Sequence, residues 1–88
     1  MSKISEEKIK KIKEEILALL FNKFPYSLFT AQIARELARD EEFIKKILFD
    51  LEKVGLVRRI KEKNGKILSR KILWQLTEKA YFAYKNLK

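Results

Sequence analysis

The chain has 88 residues, of which 47% are hydrophobic and 38% charged, a balance typical of one small folded domain. It contains neither Cys nor His, which excludes disulfides, thiol nucleophiles, Cys/His zinc sites and imidazole acid–base catalysis. Twenty-one Lys and Arg stand against 12 Asp and Glu, and the resulting net charge of +9 favours an anionic partner.

Several other classes are not expected from the sequence. No apolar run approaches the roughly 20 residues that span a bilayer, and no signal peptide is present, so we expect a soluble, cytoplasmic protein that does not bind membranes. No glycine-rich loop could cradle a phosphate, and the adjacent Glu41 and Glu42 do not face each other on a helix. An enzyme, a metal site and a bound cofactor are therefore not expected. The wealth of Lys, Glu and Ile without Cys is typical of thermophile proteins.

The first part of the chain predicts three helices. Ser5, Thr30 and Asp40 can each cap a helix start, and apolar residues then recur at helical spacing. Pro25 ends the first helix because the residue before a proline avoids helical angles, and Gly55 ends the third. The three predicted helices span residues 5–24, 30–38 and 40–54.

The pattern changes after Gly55. Two β-prone runs, residues 56–63 and 66–74, flank Asn64-Gly65, which is a strong signal for a two-residue hairpin turn. Thr77 can cap a last helix over residues 77–87. The predicted order is helix, helix, helix, strand, strand, helix in one domain of residues 1–88. The fold class is mainly α with a β-hairpin (α+β).

Three spaced motifs resemble winged helix-turn-helix regulators of the MarR, ArsR and PadR kinds. They are residues 33–37 (IAREL), residues 48–57 (LFDLEKVGLV) and residues 74–80 (WQLTEKA). A short turn, Ala38-Arg39-Asp40, joins the second and third helices. The resemblance implies a DNA-binding transcription regulator whose third helix enters the major groove and whose hairpin wing contacts the backbone or minor groove.

The third helix carries a mixed outward stripe. Opposite its apolar face lie Glu42, Lys46, Phe49 and Lys53, with Lys45 beside them. Lysines suit guanine edges or phosphates, and Phe49 suits a thymine methyl or a protein partner. Residues 41–57 hold three basic and four acidic residues, a net −1, so only modest base readout is expected. A solvated charged face is the alternative.

Most of the positive charge lies in the predicted wing. Residues 58–71 hold seven basic residues and one acidic residue, a net +6. A two-residue turn at Asn64-Gly65 would pair Arg58 with Lys71, Arg59 with Arg70, and Lys63 with Lys66, and like charges opposite each other are destabilising. An anionic partner between them would relieve that repulsion, although a charged edge against aggregation is the alternative. The predicted DNA-binding residues are Lys45, Lys46, Phe49, Lys53, Arg58, Arg59, Lys61, Lys63, Lys66, Arg70 and Lys71.

The terminal helices carry apolar side chains beyond those that one small core needs. Phe82 points away from the main apolar face of the last helix, and Phe21 lies off the isoleucine stripe of the first. We predict a homodimer that buries Leu17, Phe21, Tyr81, Phe82 and Lys85. The leading prediction is thus a dimer on double-stranded DNA. The alternative is a winged helix used for protein–protein contacts without specific DNA binding.

Overall fold

The computed structural model describes residues 6–60 and 72–87. In chain order its elements are α1 (Glu6–Lys23), β1 (Leu28–Phe29), α2 (Thr30–Leu37), α3 (Glu41–Lys53), β2 (Val57–Arg59), β3 (Leu73–Leu76) and α4 (Glu78–Asn86). The fold is mainly α with a small antiparallel sheet, as predicted. No helix in this part of the chain is long and apolar enough to cross a membrane.

Two of the predicted helix caps are present. The Asp40 carboxylate accepts a hydrogen bond from the Phe43 N–H (3.0 Å), and the Thr77 hydroxyl accepts one from the Ala80 N–H (3.1 Å). At the end of α3, Gly55 has φ +81°, and the Leu56 N–H donates to the Leu51 carbonyl (3.0 Å). This positive φ is the reason a glycine suits the exit from α3.

The predicted cap at Thr30 is wrong. Phe29 holds the cap position of α2, and its N–H donates to the Gln32 side chain (2.8 Å). Thr30 is the first helical residue and is buried, and its hydroxyl accepts a hydrogen bond from the Trp74 indole N–H (2.7 Å). The hydroxyl therefore joins α2 to the sheet and does not cap a helix.

The sheet contains one strand that the sequence analysis did not predict. Its order is β1-β3-β2, and both pairings are antiparallel. The two-residue strand β1 pairs Leu28 with Trp74 and Phe29 with Leu73. β1 therefore covers one edge of β3 and brings the start of α2 to the sheet.

The predicted register of the wing is wrong for the residues that the structure describes. Arg58 pairs with Gln75 rather than Lys71, and Arg59 pairs with Trp74 rather than Arg70. Two of the three predicted like-charge pairs are therefore absent. The third, between Lys63 and Lys66, lies outside the described residues, as does the Asn64-Gly65 turn.

The core lies between the helices and the sheet. Three isoleucine or leucine residues on one face of α1, four on α3 and the ring of Trp74 on β3 are buried together. The buried hydrophobic side chains are Ile12, Ile16, Leu20, Ile33, Ala34, Ile44, Ile47, Leu48, Leu51, Val57, Trp74, Leu76 and Ala80. Because the apolar face of α3 is buried in this core, the opposite face of the helix points outward.

A tight turn joins α2 to α3. Ala38 closes α2 in the left-handed region (φ 55°), and the Arg39 N–H donates to the Ala34 carbonyl (2.9 Å). The Arg39 guanidinium lies 3.9 Å from the Glu15 carboxylate on α1. A partly exposed ion pair thus links this turn to α1.

Candidate nucleic-acid interface

The outward face of α3 is charged. Glu42, Lys46 and Lys53 are exposed on it, as the helical spacing predicted. Lys45 is half-buried and lies 3.4 Å from the Glu42 carboxylate, three residues earlier. This short pair lowers the free positive charge at the start of α3, so Lys46 and Lys53 are the lysines most available to a ligand.

Phe49 is less exposed than the sequence analysis implied. It is half-buried, and its ring packs edge-on against Trp74 with the ring centroids 5.5 Å apart. The Arg59 guanidinium lies over the same ring, 5.3 Å from its centroid. Phe49 therefore serves as a platform for an arginine, and only part of the ring can reach a base or a protein.

Arg59 is paired with an acid of its own chain. Its Nε donates to the Glu52 carboxylate over 2.8 Å, which joins the end of β2 to the last turn of α3. The two side chains are 33% and 28% exposed. No acidic partner of Arg59 was expected from the sequence, and this ion pair corrects that expectation.

Arg58 lies on the other face of the sheet, because neighbouring residues of a strand point to opposite sides. It is exposed, and its Nε donates to the Gln75 side-chain oxygen over 2.9 Å. The Gln75 amide nitrogen in turn donates to the Pro25 carbonyl. These side chains line part of a surface cavity of about 480 Å³ that also contains Phe24 and Glu78. Arg58 is thus oriented by a neutral partner.

The remaining predicted contacts lie outside the described residues. They are Lys61, Lys63, Lys66, Arg70 and Lys71. The structure therefore brings together Lys46, Phe49 and Lys53 on α3 with Arg59 beside them, and it leaves Arg58 on the opposite face of β2. The sequence analysis missed the roles of Glu52 and Gln75. The correct strand register would have indicated Gln75 opposite Arg58, whereas the contact of Glu52 with Arg59 depends on how β2 follows α3.

The predicted dimer surface is partly engaged within the chain. Phe21 and Tyr81 are half-buried and stack with ring centroids 5.0 Å apart, and Tyr81 also stacks on Phe24 at 4.2 Å. Leu17 packs against the core, and the Lys85 ammonium lies 5.9 Å from the Tyr81 ring centroid. Phe82 is 56% exposed and is the most accessible of the predicted aromatic contacts.

Comparison with known proteins identifies the architecture. A double mutant of Lactococcus lactis ZitR in apo form is 30% identical, with a TM-score of 0.70 over 92% of this chain and 57% of that chain. ZitR is a zinc-responsive MarR family member. No family model matches the chain, and no curated protein does.

Two further solved structures share the fold at lower identity. A MepR mutant from a multidrug resistant S. aureus clinical isolate is 19% identical, with a TM-score of 0.71 over 89% of this chain and 54% of that chain. Overoxidized AbfR bound to DNA is 21% identical, with a TM-score of 0.69 over 93% of this chain and 60% of that chain. The chain thus spans little more than half the length of these regulators.

The predicted winged helix-turn-helix resemblance is confirmed, and the structural neighbours are MarR-family regulators. Zinc response is a property of ZitR. This chain has no His or Cys, and its described residues contain no group of three or more acids arranged to hold a metal ion.

Proposed function

We propose that the chain binds double-stranded DNA and regulates transcription. The observation that carries this proposal is the outward α3 stripe of a winged helix-turn-helix, with Lys46 and Lys53 exposed and Arg59 of β2 beside it. The structural likeness to regulators, one of them bound to DNA, supports the same function.

The charge distribution favours contacts with the DNA backbone. Residues 58–71 carry a net +6, whereas residues 41–57 carry a net −1. Phosphate contacts position a protein on DNA and are salt-dependent, whereas base contacts specify the sequence. The wing therefore supplies most of the affinity, and α3 supplies modest readout in the major groove.

Repulsion between like charges across the wing does not support this proposal. Arg58 and Arg59 face Gln75 and Trp74, so neither needs a polyanion to relieve a cross-strand arginine or lysine. The density of positive charge in residues 58–71 and the architecture support DNA binding together with the α3 stripe.

Duplex titration at several salt concentrations tests the function. If about six wing charges contact phosphates, the logarithm of affinity falls against the logarithm of salt with a slope near −5. Binding at low salt with a slope of this size is the expected result. Absence of binding to any duplex at low salt would contradict the proposal and favour the protein-interaction alternative.

Arg58→Ala tests how much the first strand of the wing, β2, contributes to DNA binding. The variant should weaken binding by a similar factor on all duplexes and make the salt slope shallower by about 1, as for the loss of one phosphate contact. Lys10→Ala on α1 removes the same charge from an exposed helix position and is the matched control. Equal effects of the two variants would show that only overall charge matters.

A dimer remains the proposed assembly. Its contacts would be Leu17, Phe21, Tyr81, Phe82 and Lys85, with Phe82 the most exposed of the three aromatics. Two copies would place two wings on one duplex and double the number of phosphate contacts. The exposed ring of Phe82 on α4 supports this proposal, whereas Phe21 and Tyr81 already stack on each other within the chain.

A further inference from the structure

The junction between α3 and the wing contains an ion pair that the proposed function does not require. Glu52 lies in the last turn of α3, and Arg59 ends β2, with 2.8 Å between the carboxylate and Nε. Both side chains are about one-third exposed or less, so water screens their attraction less than on an open surface.

The guanidinium of Arg59 is held from two sides. Glu52 binds its Nε edge, and the Phe49 ring lies 5.3 Å from its central carbon. Arginine has five N–H donors, so the Glu52 contact at Nε leaves donors that a phosphate can bind. A phosphate that approached this guanidinium would also approach the Glu52 carboxylate, and the two anions repel each other.

Arg58 provides an internal contrast. It is the neighbouring residue on the same strand, yet its partner is the neutral Gln75 amide. Among the described residues no carboxylate lies within ion-pair distance of Arg58, so its charge is not offset there as that of Arg59 is. The Glu52–Arg59 pair brings a net charge of zero and releases no counterion when a phosphate comes near.

We propose that Glu52 competes with the DNA phosphate for Arg59 and so limits the affinity of the protein for DNA. This inference rests on the proposed function and adds an intramolecular control to it. In the free protein Glu52 holds the arginine against α3, and on DNA the phosphate must share or displace that carboxylate.

Glu52→Gln is the direct test. Glutamine keeps a side-chain oxygen that can accept from Arg59 Nε, so the position of the arginine is preserved while the negative charge is removed. Duplex affinity should rise about three- to tenfold, as expected when one charge-assisted contact replaces a competed one. The salt slope should become steeper by about 0.9, because one more phosphate is neutralised.

Two matched controls separate this competition from a general effect of charge. Asp50→Asn removes one exposed negative charge from the same helix, about 200° around the axis from Glu52. Asp50→Asn should change duplex affinity much less than Glu52→Gln does. In an Arg59→Gln background, Glu52→Gln should have no larger effect than Asp50→Asn, because the residue for which Glu52 competes is gone.

The outcomes distinguish this inference from the proposed function. Tighter binding by Glu52→Gln that disappears in the Arg59→Gln background supports the inference. Wild-type binding that Glu52→Gln leaves unchanged, or raises equally in both backgrounds, overturns the inference and leaves the function intact. Absence of duplex binding by both the wild-type chain and Glu52→Gln at low salt overturns the function, and the inference with it.

Discussion

The hydrogen bond between Trp74 and Thr30 connects two distant parts of the chain at the centre of the core. The indole N–H lies 2.7 Å from the Thr30 hydroxyl, and Trp74 is fully buried. The same hydroxyl lies 3.5 Å from the Ile72 carbonyl. A buried indole N–H without an acceptor would lose its hydration without compensation.

Replacement of Thr30 should show how much stability is lost when the buried Trp74 N–H has no acceptor. Thr30→Val keeps the shape of the side chain but leaves the Trp74 N–H unpaired, so the free energy of unfolding should fall by about 1–3 kcal/mol. Urea unfolding followed by tryptophan fluorescence measures this change. Thr30→Ser keeps the hydroxyl and should lose less stability. Equal stability of the valine variant and the wild-type chain would contradict the assigned bond.

At this scale the sequence predicts local partners better than distant ones. The side chains of Asp40 and Thr77 each accept a hydrogen bond from the backbone N–H three residues later. Contacts at so short a spacing can be predicted from the local sequence. Thr30 has the same local signature, but its partner lies 44 residues away. The ion pair of Glu52 with Arg59 likewise depends on where β2 leaves α3, which no spacing rule supplies.

At the level of secondary structure, the cap residue and the two acids that follow it stabilise the start of α3. Asp40 accepts from the Phe43 N–H, and Glu41 and Glu42 follow in the first turn, where acids oppose the positive end of the helix dipole. Their acidity therefore has a structural role, whatever they contribute to a ligand.

Asp40→Ala should remove the cap and lower the free energy of unfolding by about 1 kcal/mol. Thermal or chemical unfolding measures the loss. Asp40→Asn retains a side-chain acceptor and serves as the conservative control, with a loss close to zero. A loss as large in the asparagine variant would show that charge, rather than the cap hydrogen bond, stabilises the start of α3.

Helical periodicity located α1, α2, α3 and α4, because amphipathic repeats of eight or more residues are specific. The strand β1 has two residues and no alternation to detect, so only its pairing with β3 defines it. The register error has a different cause. The prediction assumed an unbroken ladder from a turn at Asn64-Gly65, yet the described pairs, such as Arg58 with Gln75, are displaced by four residues from that ladder.

At the scale of the whole molecule, a substitution of the exposed Phe82 on α4 tests the proposed dimer. Phe82→Ser should convert a two-chain species into a single chain at micromolar concentration and leave the chain folded, because Phe82 is 56% exposed. Light scattering after size exclusion measures the mass. Tyr26→Ser, at an aromatic that is 76% exposed outside the predicted surface, should leave the mass unchanged. A wild-type chain with the mass of one copy would contradict the dimer.

The order of elements and the three spaced motifs were sufficient to predict the winged-helix class. They were not sufficient to predict which groups the charged side chains contact. Arg58 and Arg59 are adjacent in the sequence, yet one has a neutral partner and the other a carboxylate. That difference depends on strand register and on the exit of α3, which are tertiary properties.

Thr77 joins the end of α3, strand β3 and helix α4 at one point. Its hydroxyl lies 2.9 Å from the Gly55 carbonyl, and its backbone N–H donates to the Leu56 carbonyl over 3.1 Å. The start of α4 is therefore hydrogen-bonded to the segment that leaves α3. If two chains pair through α4, as in the proposed dimer, this connection would couple the separation of their α3 helices to the packing of the α4 helices, and the DNA half-sites bound by such a dimer would be spaced in whole turns of about 10 base pairs.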